Sequence, residues 1–218
     1  MTYTPDIHDE LVRVANVMAD AARAVILPHF RAFGLEAENK LTEGFDPVTI
    51  ADKAAELAMR DVLADLRPDD AILGEEFGEK SGSTGLSWVL DPIDGTRGFM
   101  SGTPTWGVLI AVGDDTGPQI GLIDQPYIGE RFVGTPKGAN FTGPHGAGPI
   151  TTRAARALSQ ATVFTTFPEV GTAHDRAGFE AVSSQAQLTR YGMDCYAYAL
   201  LAAGQIDLVI EASLNSYD

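Results

Sequence analysis

The sequence predicts a mixed α/β fold whose first half leans antiparallel and whose second half alternates strand and helix. Two patterns carry this reading. Residues 71–141 hold short apolar runs separated by glycine-containing turns, the mark of strands joined by tight connections. Beyond a Gly/Pro-rich tract at 142–150 (TGPHGAGPI), strand and helix signals alternate, which marks a layered α/β unit. That tract is the expected boundary between an N-terminal α+β sub-domain, 1–142, and a C-terminal α/β sub-domain, 151–218, the two forming one unit.

Taken in order, residues 6–33 place Leu11, Val14, Ala15, Met18, Ala22, Val25 and Ile26 at helical spacing and predict one long amphipathic helix. Pro28 should kink or end it, and His29 falls on its polar side. Residues 38–46, with Lys40 among them, form a polar loop expected to be mobile. A second helix is predicted over about 49–66, opened by Thr49 with Asp52 three residues on, the pattern of a capping box. Asp52 therefore has a structural reason to be there. A capping position also aims a carboxylate at the helix mouth, so a second role is compatible with it.

Residues 71–77 read as a short strand running out into Glu75 and Glu76. The link through SGSTG to the next strand looks like a hairpin connection, and neighbouring strands would bring Glu75 and Asp91 to one sheet end. Strands follow at 105–112 and 119–124, and a meander continues through 131–134 and 138–141. His145, in the tract after them, is expected to be exposed. In the second half, 161–166, 188–190 and 206–211 read as strands, and 173–184 and 196–203 as helices.

Bulk properties exclude several classes of function. The chain has 218 residues, 44% of them hydrophobic, enough for a sizeable core. Its net charge of −15 lacks the basic face that a nucleic-acid or anionic-membrane binder needs. No stretch approaches the roughly 20 apolar residues of a membrane span. The N-terminus shows no signal peptide, and the single cysteine, Cys195, fits a reducing cytoplasm.

The chemistry gathers at residues 88–96, WVLDPIDGT. Pro92 cannot donate to a sheet ladder, so the strand is expected to stop near Asp91. In an unbroken strand, residues three apart face opposite sides, and Asp91 and Asp94 would diverge. A turn after Asp91 brings both carboxylates to one point. Gly95 allows close backbone approach, and Thr96 can open a helix whose free N–H groups suit an anion. Two carboxylates beside an anion site point to a hard divalent cation holding a phosphate. Asp52, Glu75, Asp91, Asp94, Glu211 and Asp218 are the acidic side chains to weigh. An oxygen donor set without cysteine or a nearby histidine favours magnesium over zinc. The D-x-D-G-T pattern of haloacid-dehalogenase phosphatases does not fit, because the aspartates here are three apart and the spacing reverses a strand side chain's face.

Glu75-Glu76 after an apolar strand, followed by DPIDGT at 91–96, resembles the inositol monophosphatase family of magnesium-dependent, lithium-sensitive phosphatases. The likeness runs through the Lys40 loop, Thr49 to Asp52, and Glu211 to Asp218, where Tyr217-Asp218 stands for the usual Trp-Asp. It implies a layered αβαβα sugar-phosphatase fold, usually a homodimer. It further implies that Glu75, Asp91 and the Ile93 carbonyl hold one metal, that Asp91, Asp94 and Asp218 hold a second, and that Glu75 helps a weaker third through waters. That makes two to three Mg2+ per site. Asp52 and Thr96 would orient and deprotonate an attacking water with no phospho-enzyme, Gly95 and Thr96 amides would grip the phosphate, and Glu211 would bind the alcohol part of the substrate. Glu75 would thus serve catalysis as well as metal binding.

Within the family, DPIDGTRGFMSGTPTWG, IDQPYIGERFVG and RYGMDCYAYALLAAG look more like the histidinol-phosphate phosphatase branch than the inositol branch. The substrate implied is L-histidinol phosphate, cleaved to L-histidinol and phosphate in histidine biosynthesis. Glu211 and Asp194 offer anionic partners to its ammonium and imidazole. Asp194 could equally cap the following helix. Arg190 would pair with Asp194 or touch substrate, Arg97 fits either a surface or a pocket, and Cys195 reads as a packed small residue. The alternatives are an inositol-1-monophosphatase, a broader sugar or nucleotide phosphatase, and, from another class, a non-catalytic regulatory or truncated inactive member. Family members continue past the last aspartate, so the C-terminal part of the fold is expected to be missing. Apolar surface would then be uncovered and Asp218 would sit on a frayed end.

Overall fold

The computed structural model describes residues 5–33, 37–39, 47–169 and 171–218. Helix α1 (Pro5–Ile26) is followed by turns rather than by further helix, as Pro28 demands. Strands β1 (Ala37–Asn39) and β2 (Pro47–Thr49) pair antiparallel ahead of α2 (Ile50–Leu66). β1 lies where the sequence predicted loop, and Lys40 with the rest of that loop, 40–46, lies outside the described residues. Next come β3 (Ala71–Gly74), β4 (Gly78–Lys80), β5 (Ser87–Asp94), α3 (Thr96–Ser101), β6 (Gly107–Asp114), β7 (Gly117–Gln125), β8 (Glu130–Thr135), β9 (Gly138–Gly143) and β10 (Gly146–Ile150). They form an eight-stranded sheet in the order β10-β9-β8-β7-β6-β5-β3-β4. The chain then supplies β11 (Thr162–Thr165), α4 (Ala173–Ser183), β12 (Leu188–Tyr191), α5 (Asp194–Ala202) and β13 (Leu208–Val209). These strands make a parallel sheet in the order β12-β11-β13.

The stacking follows from which side chains alternate to which face. Val108, Ile110 and Val112 of β6 turn toward Leu11, Met18, Ala55 and Met59 of α1 and α2, forming the main core. Helix α5 lies on the opposite face, touching β6 and β7, and reaches β11 and β13 on its other side. In β11, Phe164 packs with Ala197 and Ile206, while its neighbour Val163 packs with Phe179 of α4. The layers are therefore α1/α2, large sheet, α5, small sheet and α4, the αβαβα order the resemblance implied.

Several local expectations change. The Gly/Pro-rich tract at 142–150 is not a loop. It completes β9, turns, and returns as β10, whose Pro149 is tolerated because β10 is an edge strand. The expected boundary thus falls inside the large sheet, and 151–157 carries no regular structure before the small one. β3 and β5 are not a hairpin but parallel neighbours, with β4 folding back on β3 between them in sequence. The last strand shrinks from 206–211 to Leu208–Val209, because the side chains of the flanking acids take amides that a ladder would use: Asp207 accepts the Thr162 amide and Glu211 the Thr166 amide.

The first helical layer is tied to the sheet by a buried ion cluster. Asp124 on β7 is 0% exposed and accepts hydrogen bonds from Arg23 of α1 and Arg131 of β8, each at 2.7 Å. Arg131 reaches on to Asp20 and Asn16 of α1. Removing one partner from such a cluster leaves charge unmatched in the interior. Asp124→Ala is expected to lower unfolding stability by about 3 kcal/mol in urea denaturation. A loss below about 1 kcal/mol would show that solvent screens the cluster.

Candidate active site

Parallel pairing of β3 and β5 puts their C-terminal ends side by side, with Gly74 opposite Leu90. The next residues are therefore neighbours: Glu75 donates its amide to the Leu90 carbonyl at 3.1 Å, and its side chain lies close enough for its charge to raise the Asp91 carboxyl. A hairpin would have sent these two acids to opposite ends. The expected meeting of Glu75 and Asp91 therefore occurs, through a different connection.

β5 does not stop at Pro92. It runs on to Asp94, and its register against β6 shifts, from Asp91 opposite Leu109 to Asp94 opposite Gly107. Three steps on β5 answer two on β6, which is one inserted residue, a β-bulge. The inserted residue cancels the half-turn that would have separated Asp91 from Asp94. Pro92 fits because the bulge leaves a ladder position unpaired. Within the bulge, Ile93 donates its amide to Asp91 Oδ1 at 3.1 Å, and its carbonyl accepts from the Thr96 hydroxyl at 3.1 Å.

Gly95 follows with φ +83° and caps α3, which Thr96 opens as expected. A side chain on Gly95 would be strained by that φ and would also meet the Asp194 carboxyl, whose Cγ lies 2.7 Å from the position of a Cβ. Asp194 is not the cap of α5; Met193 holds that position. Asp194 has φ +47°, and its carboxylate turns back toward Gly95 and accepts from the Thr105 hydroxyl at 3.1 Å. The acid that does meet the start of α5 is Asp94, whose Oδ2 accepts the Cys195 amide at 2.5 Å.

Asp52 carries both of its readings at once. The capping box is complete: Oδ2 accepts from the Thr49 amide at 2.8 Å and hydroxyl at 2.5 Å. Its other oxygen, Oδ1, lies 3.4 Å from the Thr96 hydroxyl. Burial raises the Asp52 carboxyl above its usual range, against the lowering effect of Thr49.

A polar cavity of about 280 Å³ opens over these groups, lined among others by Glu75, Asp91, Asp94, Thr96, Asp194, Glu211 and Asp218. Glu211 is held from behind by the Thr166 amide at 2.7 Å and hydroxyl at 2.9 Å. Asp218, expected on a frayed end, is turned into a tight loop in which the Asn215 amide donates to its carboxylate. Arg97 and Phe167 stack at 4.9 Å across the mouth, which makes Arg97 a cavity residue. Arg190 stands exposed on β12 and is not among the lining residues. The charge beside Asp194 is that of Arg97. A larger cavity of about 400 Å³, lined by Val89, Leu109, Ile123 and Tyr198, is apolar and touches only Asp218 of these acids.

The donor set fits a hard divalent cation. Asp91, Asp94 and Asp218 each offer an oxygen within 4.8 Å of the others, and the described residues lining the cavity include no histidine or cysteine. Burial, followed by the Glu75 and Asp94 charges, holds the Asp91 carboxyl well above its usual range. Burial, with Asp194 and Asp218 nearby, pushes Asp94 up to about 7. A bound cation relieves both strains by favouring the ionised forms. Sequence reasoning missed Thr166, Phe167, Thr105 and Glu56. Only Glu56 had a local signal, a charge on the apolar face of α2 with Ala55, Met59 and Leu63.

A protein-family model described as the inositol monophosphatase family matches residues 8–218. The chain is similar to the chloroplastic bifunctional phosphatase IMPL2 of Arabidopsis thaliana, at 42% identity over 213 residues, 96% of this chain and 60% of that one. It is similar to a histidinol-phosphatase of Streptomyces coelicolor at 35% identity, over 98% of this chain and 82% of that one. The solved structure of an inositol monophosphatase from Zymomonas mobilis shares the fold with a TM-score of 0.83 and 39% identity, over 99% of this chain and 81% of that one. The chain thus spans 60% of the length of the Arabidopsis relative and 82% of the Streptomyces one. A match over nearly the whole chain, on the αβαβα fold already described, establishes that this protein belongs to the inositol monophosphatase family.

Proposed function

We propose that the protein hydrolyses a small phosphate monoester with the help of divalent metal ions, magnesium being the expected ion. The observation that carries this is the convergence of Asp91, Asp94 and Asp218 in the cavity that also holds Thr96, beside Asp52. In this reading Glu75, Asp91 and the Ile93 carbonyl hold one ion, and Asp91, Asp94 and Asp218 hold another. Bound ions would neutralise the phosphoryl oxygens and the leaving oxygen.

The remaining work falls to the chain. Thr49 fixes one Asp52 oxygen, so the other faces Thr96 in a set direction. That pair would orient a water, and Asp52, made more basic by burial, would take its proton. The Gly95 and Thr96 amides would meet the phosphate. Glu211 and Asp194 would face the alcohol part of the ester. The proposed assembly is a homodimer. Among the described residues no helix is long and apolar enough to cross a membrane.

Two substrates compete. An inositol phosphate is supported by the 39% identical Zymomonas structure, and histidinol phosphate by the Streptomyces relative and by the carboxylates at Glu211 and Asp194. We place the inositol ester first, ahead of the histidinol reading drawn from the sequence segments. With Mg2+ present, kcat/KM for inositol 1-phosphate is expected to exceed that for L-histidinol phosphate. A clear reversal would move the assignment to histidinol phosphate, and no turnover of either ester would remove the phosphatase reading.

The double role of Asp52 can be separated by substitution. Asn at this position keeps an oxygen for the Thr49 cap but turns an amide toward Thr96. Asp52→Asn is expected to lower kcat by roughly 100-fold or more, with a stability change under about 1 kcal/mol in denaturant titration. Equal losses in both would reduce Asp52 to a cap.

Proton linkage tests the metal site. The Asp94 carboxyl loses its proton near pH 4 when unfolded, but at about 7 when folded without metal. The folded state holds the extra proton between these values, so this group makes the metal-free protein less stable as pH rises through that window. A cation must displace the proton. Mg2+ binding is therefore expected to release more protons at about pH 6 than at about pH 8, measured by calorimetry in buffers of different ionisation enthalpy. Release that does not fall with pH would contradict the assignment of Asp94 as a ligand.

A further inference from the structure

The turn that carries Glu75 has little to hold it by itself. Residues 75–77 link β3 to β4, a three-residue strand at the edge of the sheet. Short edge connections with few packed neighbours open easily. Yet all three consecutive amides of this turn are bound. Glu75 donates to the Leu90 carbonyl, one residue before Asp91. Glu76 and Phe77 donate to the two oxygens of Glu56, at 2.6 and 3.2 Å.

Glu56 is 0% exposed, on the buried face of α2, one turn beyond Asp52. Burying a carboxylate is costly unless it is paired and hydrogen-bonded. Here Arg60 pairs with it at 2.7 Å and also donates to the Gly78 carbonyl at the far end of the turn. The Glu56–Arg60 pair therefore spans the turn from Glu76 to Gly78. It also accounts for the glycine of the GEE segment: a Cβ on Gly74 would lie 1.9 Å from Glu56 Oε1. Gly74 is small so that this carboxylate can enter, and its φ is not the reason. The same turn brings Glu76 close enough to Asp52 for its charge to raise the Asp52 carboxyl.

We propose that Glu56 is a positioning residue: with Arg60 it clamps the 75–77 turn against α2 and so fixes Glu75 for metal binding. This rests on the phosphatase reading, in which Glu75 is a metal ligand. A carboxylate suits the task because two N–H groups converge on it, and a neutral amide would present a donor to one of them. Residues that orient metal ligands typically change metal affinity by 10- to 100-fold when substituted.

The test is calorimetric titration of the full 218-residue chain with Mn2+. Glu56→Gln is compared with Arg60→Met, which leaves Glu56 in place but unpaired, and with Met59→Ala, a core truncation on the same helix. Thermal melting is recorded for each. Roughly tenfold weaker metal binding in both Glu56→Gln and Arg60→Met is expected, with Met59→Ala binding as wild type although it melts earlier. Rescue of binding in Glu56→Gln would not follow from stabilising the fold with sucrose. Binding by both clamp variants equal to wild type would overturn the role of Glu56 and leave the phosphatase reading intact. Loss of affinity in Met59→Ala matching theirs would reduce the effect to general destabilisation. No Mn2+ binding by the wild-type chain would overturn the phosphatase reading and this inference together.

Discussion

Carboxylates that repel one another cannot hold themselves at one point, so the scaffold has to hold them. The site solves this with backbone amides. Asp91 is gripped by the Ile93 amide, Asp94 by Cys195, Asp52 by Thr49, Glu211 by Thr166 and Asp218 by Asn215. Four acids outside the cavity are treated differently. Asp124, Asp70, Asp207 and Glu56 are each paired with arginine. The division has a physical consequence. An arginine fixes a carboxylate but cancels its charge, whereas an amide dipole fixes it and leaves the negative charge in place. The five acids held by amides are thereby left for a cation to neutralise, whereas those four are neutralised by their arginines.

Two features of the large sheet bring those acids together. Parallel β3 and β5 align the ends that carry Glu75 and Asp91, and the bulge at Pro92–Ile93 turns Asp94 to the same side. Each is a departure from the simplest antiparallel meander, and each is placed at the candidate site. Two glycines then let acids press on the backbone. Gly95 makes room for Asp194, and Gly74 makes room for Glu56. In both cases the absent Cβ is a packing requirement set by a carboxylate from elsewhere in the chain.

Much of this was legible in the sequence. The helices of the first layer, the Thr49–Asp52 capping box and the opening of α3 at Thr96 rest on contacts within about four residues, and local patterns report such contacts directly. The DPIDGT and GEE segments carried the chemistry because residue type and close spacing already limit what they can bind. Other expectations failed where a distant partner decided the outcome. Of the two readings of Asp194, the helix cap is the one that fails, because its carboxylate turns back to Thr105 and Met193 holds the cap. The tract at 142–150 reads as a loop, yet β9 recruits it as an edge strand. Arg190 reads as a partner for Asp194 or for substrate, yet it stands exposed and does not line the cavity.

The sequence by itself determined which residues could do the chemistry: acids of the right type, and a glycine and threonine at a helix start. Only the tertiary structure decided how they meet. Whether a strand continues past a proline, and whether two strands run parallel or antiparallel, depends on hydrogen bonds to segments far away in the chain. Those bonds leave no periodic trace in the residues they join. The one-residue shift between β5 and β6 is the clearest instance, since it alone puts Asp91 and Asp94 on one side.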